Sequence, residues 1–155
     1  MVDNQEYQAS MDDLHQARLN NLIEEARSWI GTKWGHNQAK KGVAVDCVNF
    51  LFHIAHDSGL NIPLMPTKYT KTPINNEIEN YLITNSDYFK PVLEYQKGCV
   101  LLITNPDGRR GHIGLVTGLD TLIHATLDKG VIEQKIDDLL KRKIHKIWLI
   151  QFPQE

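Results

Sequence analysis

Asp46-Cys47-Val48-Asn49-Phe50-Leu51-Phe52-His53-Ile54-Ala55-His56, followed by Ser58-Gly59, is the most informative run in this chain of 155 residues. Asp46 is a good N-cap, because its carboxylate can accept the unpaired N–H groups of a first helical turn. Gly59 suits the left-handed residue that ends a helix. The residues between are apolar on nearly every side, so the run reads as a helix buried in the centre of the fold. It carries a cysteine at its first position.

Upstream, Leu19, Leu22, Ile23, Ala26 and Ile30 follow the spacing of a buried helical stripe. With Ser10 and Asp13 as a start signal and Gly31 as a cap, this predicts a helix over roughly 11–30. Residues 31–45 lack periodicity and read as a loop. Downstream, Ile74, Ile78, Tyr81 and Leu82 predict a weaker helix from Pro73 to Leu82. The character then changes to short apolar runs: Val100 to Ile103, His112 to Thr117, Thr121 to Thr126, Val131 to Lys135 and Ile144 to Phe152. Turn material such as Asn105-Pro106-Asp107-Gly108 and Asp128-Lys129-Gly130 separates them, so they read as strands. Helices first and strands second predict an α+β fold with an antiparallel sheet against the helices.

The length is that of one domain, and residues 1–155 are read as one, with 1–10 as a flexible polar arm. Lys plus Arg number 17 and Asp plus Glu 19, a net charge of -2, which gives no electrostatic reason to expect nucleic acid. No apolar run is long enough to span a membrane, so no membrane insertion is expected. Two cysteines provide no disulfide framework. The polar start, Met1 to Glu6, is unlike a secretory signal, so synthesis in the cytoplasm is expected.

A cysteine at a helix N-terminus is favoured as thiolate, and the adjacent N–H groups can receive an oxyanion. Cys47 is therefore the candidate nucleophile, although a lone cysteine is usually a small buried hydrophobe. Cys99, opening an apolar strand, reads as core. His112 is the candidate base, at the mouth of its strand after Gly108-Arg109-Arg110-Gly111. His124 lies in the next strand, and a hairpin register that puts both on one face makes them diagonal neighbours. It then orients the base, while a slip of one residue turns one ring away. The alternative for each is a strand histidine bonded to a backbone carbonyl. Arg109 and Arg110 beside the base match carboxylate ligands, a solvated turn being the other reading. His36 lies in the loop before the helix, where substrate contacts are made. His53 and His56 stand three apart without a third ligand and read as structural, as do His15 and His145. No metal or cofactor is called for, although Cys47, His112 and His124 would also serve a non-catalytic zinc-binding module.

Several segments taken together resemble the NlpC-type cell-wall cysteine peptidases, and their phage-encoded branch in particular. These are Ala26-Arg27-Ser28-Trp29-Ile30-Gly31-Thr32-Lys33-Trp34-Gly35-His36-Asn37, Gly42, Asp46-Cys47-Val48, Gly98-Cys99, His112-Ile113-Gly114 and His124-Ala125. The likeness covers roughly residues 20–152. It implies a papain-like fold, with the nucleophile helix on a five- to six-stranded antiparallel sheet. It also implies that Cys47 is the nucleophile, His112 the general base and His124 the polar orienter. Trp34, His36, Asp46 and Arg110 become the substrate contacts. The implied substrate is the peptidoglycan stem peptide, cut at an amide such as that between D-glutamate and diaminopimelate. Three positions depart from the family pattern: Trp34 replaces a tyrosine, Val48-Asn49 replaces Ser-Gly, and Cys99 replaces an aspartate.

Such an enzyme would meet the wall by phage delivery, lysis or dedicated secretion, with a phage tail or an immunity protein as partner. The other readings are a structural module of a phage tail, a secreted antibacterial amidase, or a lipid acyltransferase. The last is disfavoured because in that group the histidine precedes the cysteine in the chain.

Overall fold

A computed structural model describes residues 3–63 and 76–153. The first helix, α1, runs from Asn4 to Arg27, and the Asp3 carboxylate caps it by accepting the Glu6 N–H at 2.8 Å. It starts earlier than the stripe suggests, and residues 4–10, expected as an arm, are helical. Leu19, Leu22, Ile23 and Ala26 are buried as expected, whereas Ile30 falls beyond the helix end and is 50% exposed.

The stretch expected as a loop holds three two-residue strands: β1 Lys33–Trp34, β2 Ala39–Lys40 and β3 Ala44–Val45. They form a small sheet ordered β1-β3-β2, with β1 parallel and β2 antiparallel to β3. Two residues are too few for alternation to appear in the sequence, so backbone pairing alone defines them.

Helix α2 spans Cys47–Asp57, with Asp46 as N-cap and Ser58 as C-cap, and Gly59 follows in the left-handed region at φ 90°. Val48, Phe50, Leu51, Phe52, Ile54 and Ala55 are buried, as a central helix requires. Helix α3 covers Glu77–Thr84. Its expected first turn, Pro73 and Ile74, lies outside the described residues.

The main sheet comprises β4 Phe89–Val92, β5 Cys99–Ile103, β6 His112–Val116, β7 Thr121–Thr126, β8 Gly130–Lys135 and β9 Ile144–Ile150. Its order is β4-β9-β5-β6-β7-β8, and every pairing is antiparallel. β4 was hidden by Pro91, which lacks a ladder donor and is tolerated because β4 is an edge strand. A short helix, α4 Asp138–Lys143, precedes β9 and is capped by Asp137. Both faces of the sheet are covered. Val100, Leu102, Ile113, Leu115, Ile123 and Ala125 join the helix-side core with Leu22, Phe50 and Ile54. Cys99, Leu101, Ile103, Val116, Leu122 and Ile136 form a second core on the other side. This double burial explains why β5 is an unbroken apolar run rather than an alternating one. Gly130 holds the sheet edge against the α1–β1 connection: at φ 72° any added Cβ would lie 2.2 Å from the Thr32 carbonyl oxygen. Among the described residues no helix is long and apolar enough to cross a membrane.

Candidate active site

The cap of α2 organises the site. Asp46 is buried, and one carboxylate oxygen accepts the Asn49 N–H at 2.9 Å. The other accepts the Asn37 N–H at 2.7 Å and the Asn49 side-chain amide at 3.4 Å. One side chain thus closes the helix end and fastens the Trp34–Asn37 loop to it. Asn37 holds a positive φ of 57°, a conformation asparagine tolerates. Capping satisfies the third helical N–H and leaves those of Cys47 and Val48 directed at the Cys47 sulfur.

The sulfur is half-buried and straddles the backbone of His112. Its thiol donates weakly to the Gly111 carbonyl at 3.8 Å, and the Ile113 N–H points at it from the other side. Burial pushes the thiol up to about 12, against the opposing pull of these N–H groups. Burial likewise pushes the His112 imidazole down to about 3, with His124 adding repulsion. Burial thus opposes charge on each of the two groups. The helix terminus favours a thiolate, and burial acts against it.

His112 Nε2 lies 2.7 Å from His124 Nδ1, with the rings edge-to-face at 60°. The β6–β7 register, Leu115 opposite Ile123 and Val116 opposite Leu122, produces the diagonal placement that the histidine spacing allows. His124 is buried at 5% exposure, and burial holds it below its ordinary range. Its other nitrogen, Nε2, is 2.8 Å from the Gln134 side-chain carbonyl on β8, a partner that sequence reasoning missed. Gln134 could be found only from the strand register, which sets Leu122 opposite Gln134 and His124 opposite Ile132. The alternative of histidines tied to backbone carbonyls does not describe either ring. Among the described residues no three His, Cys, Asp or Glu side chains are disposed to hold a metal.

Cys47 and His112 open on a cleft of about 580 Å³, walled by Trp34, His36 and Asp46 on one side and Asp107 and Asp128 on the other. Trp34 and His36 stack with an interplanar angle of 19°. Arg110 is exposed and does not line the cleft, and Arg109 turns to Asp107 at 3.9 Å, so the expected guanidinium contacts are absent from its described walls. Neighbourhood in sequence carried no information on where these side chains point. The remaining histidines are structural: His56 meets the Ile62 carbonyl at 2.8 Å, His145 meets Glu79 at 3.0 Å, His53 lies by Trp29 and His15 by Phe152.

No protein-family model matches this chain, and no curated protein matches it in sequence. Solved structures match its fold. A protein similar to lipoprotein, of the NLP/P60 family, from Staphylococcus aureus subsp. aureus Mu50 has a TM-score of 0.63 at 12% identity. The match covers 88% of this chain and 42% of that one, so the chain spans less than half the length of the staphylococcal protein. The NlpC/p60 domain of the peptidoglycan hydrolase SagA gives 0.57 at 15% identity, covering 86% and 98%. The peptidoglycan hydrolase RipB from Mycobacterium tuberculosis gives 0.57 at 17% identity, covering 88% and 67%. The fold is therefore that of the NlpC/P60 domains, as the sequence resemblance implies.

Proposed function

We propose that this chain is a cysteine peptidase that hydrolyses amide bonds in peptidoglycan stem peptides, such as the D-γ-glutamyl–diaminopimelate bond. The observation that carries the reading is a thiol at a helix N-terminus on a cleft that His112 also lines, with His112 hydrogen-bonded to the buried His124. The NlpC/P60 fold supports it, since two of the matched structures are described as peptidoglycan hydrolases.

In this reading His112 takes the thiol proton as Cys47 Sγ attacks the amide carbonyl. The oxyanion rests on the N–H groups of the first turn of α2, which are fixed in place before reaction. Collapse breaks the C–N bond, and His112 gives its proton to the departing amine. Water then attacks the thioester with His112 as base, releasing the acid and restoring the thiol. His124 holds the ring of His112, and Trp34, His36 and Asp46 shape the wall against which the peptide lies.

The test is digestion of purified muropeptides followed by mass spectrometry. Wild type is expected to split the stem peptide at one amide bond, and Cys47→Ala to leave it intact. An intact stem peptide with wild type, or equal cleavage by Cys47→Ala, overturns the reading.

A further inference from the structure

Gln134 lies in no motif of the sequence and touches neither Cys47 nor the cleft. We infer that it is a positioning residue whose side-chain carbonyl sets the tautomer of His124 and, through it, that of His112. The inference rests on the peptidase reading above and deepens it.

The argument is one of donors and acceptors. The Gln134 Oε1 only accepts, so the His124 Nε2 at 2.8 Å must carry a hydrogen. A neutral imidazole has one N–H, and burial lowers His124 against the weaker opposing pulls of the Gln134 hydrogen bond and then of Asp128. Its Nδ1 is then an acceptor, and the 2.7 Å contact is completed by a hydrogen on His112 Nε2. That leaves the lone pair of His112 on Nδ1, the nitrogen not engaged with His124. A ring that must take a proton from a thiol needs a bare nitrogen to receive it. The opposite tautomer would put the hydrogen on Nδ1 and leave no bare nitrogen free of His124 to receive a proton.

The fold supplies the means. Gln134 stands diagonal to His124 across the β7–β8 ladder, so register rather than sequence neighbourhood aims its carbonyl. Gly114 leaves room for the ring pair: a Cβ there would lie 3.1 Å from the His124 Cβ and 2.8 Å from a Leu122 methyl. Placing the acceptor behind the orienter costs the cleft no space.

Histidine tautomers are read directly from long-range ¹H–¹⁵N spectra of the full chain at neutral pH. In wild type both His112 and His124 are expected to carry their proton on Nε2. Gln134→Met removes the acceptor, and His112 should then populate both tautomers while kcat on muropeptides falls on the order of 10–100-fold at little changed KM. Gln134→Glu keeps an acceptor and should retain the wild-type tautomers and most of kcat. A wild-type His112 protonated on Nδ1 overturns the inference without any variant. So does a Gln134→Met that matches wild type in tautomer and kcat. Equal loss of kcat in Met and Glu variants with an unchanged His112 tautomer marks Gln134 as merely structural, and overturns it too. If wild type cleaves no muropeptide, the peptidase reading fails, while the spectra still decide the tautomers.

Discussion

Cys47 and Cys99 are both free thiols, and burial raises the pKa of both. Their surroundings are otherwise opposite. Cys99 is the first residue of β5, fully buried in the second core, and its sulfur accepts the Gln96 N–H at 3.5 Å. Cys47 sits where a helix end, a strand end and a cleft converge, with N–H groups at its sulfur and an imidazole pair behind it. The direction of the pKa shift therefore does not distinguish Cys47 from Cys99. What distinguishes Cys47 is that it lines a cleft which His112 also lines; on the proposed reading this gives it access to substrate and to a base.

The most direct way to break this contrast is to remove the base and leave the thiol in place. His112→Ala should lower kcat/KM on muropeptides by about 10²–10⁴-fold, the usual range for a positioned general base. Cys47 would then resemble Cys99: buried, protonated and without a proton acceptor. Steady-state kinetics with denaturant unfolding as a control checks this. Activity within a few-fold of wild type would show that the histidine pair does not separate the two thiols.

A second variant sharpens the contrast through packing. Gly114→Ala places a methyl within 2.8 Å of Leu122 and 3.1 Å of His124. Crowding a filled strand pair in this way costs about 1–3 kcal/mol of stability. It should also shift His124 and weaken its 2.7 Å contact with His112, so activity falls as well. The expected pattern is loss of stability by urea unfolding together with loss of kcat. A stability loss with kcat unchanged would mean that the His124 ring need not be held.

The contrast also shows what was readable from the chain. Helix α2 was legible because Asp46, the apolar run and Gly59 agree on its limits, and five strands were legible as apolar runs between turns. The start of α1 was not, because residues 4–10 bury no apolar stripe and Ser10 offered a competing start signal. The three two-residue strands are too short for a pattern. The place of Cys47 at the start of α2 and the pairing of His112 with His124 were legible because helix position and strand spacing are local properties. Gln134 could not, because its role depends on pairing between β7 and β8. Arg110 was misplaced because charge was noted without direction.

The smallest expected effect lies in the pH dependence of stability, where the two cysteines act alike. A thiol whose folded pKa is raised stabilises the fold below its ordinary pKa, and that contribution is lost as pH climbs toward the folded value. For Cys47 the folded value is about 12, and Cys99 shifts in the same direction. Unfolding free energy should therefore decline on the alkaline side of about pH 8.5, the ordinary thiol value. Each Cys→Ala variant should flatten part of that decline. On the acid side His112, lowered to about 3, stabilises the fold above its ordinary value near 6.5 and loses that contribution as pH falls toward 3, and His124, Glu25 and Glu133, also lowered, add to the same limb. Denaturant titrations from pH 4 to pH 10 on wild type, Cys99→Ala and His112→Ala separate the limbs. Cys99→Ala should alter the alkaline limb alone, and His112→Ala should flatten the acid one. An acid limb unchanged by His112→Ala would mean that this ring is not held neutral by burial, and the cleft would then differ from the sheet core in more than access.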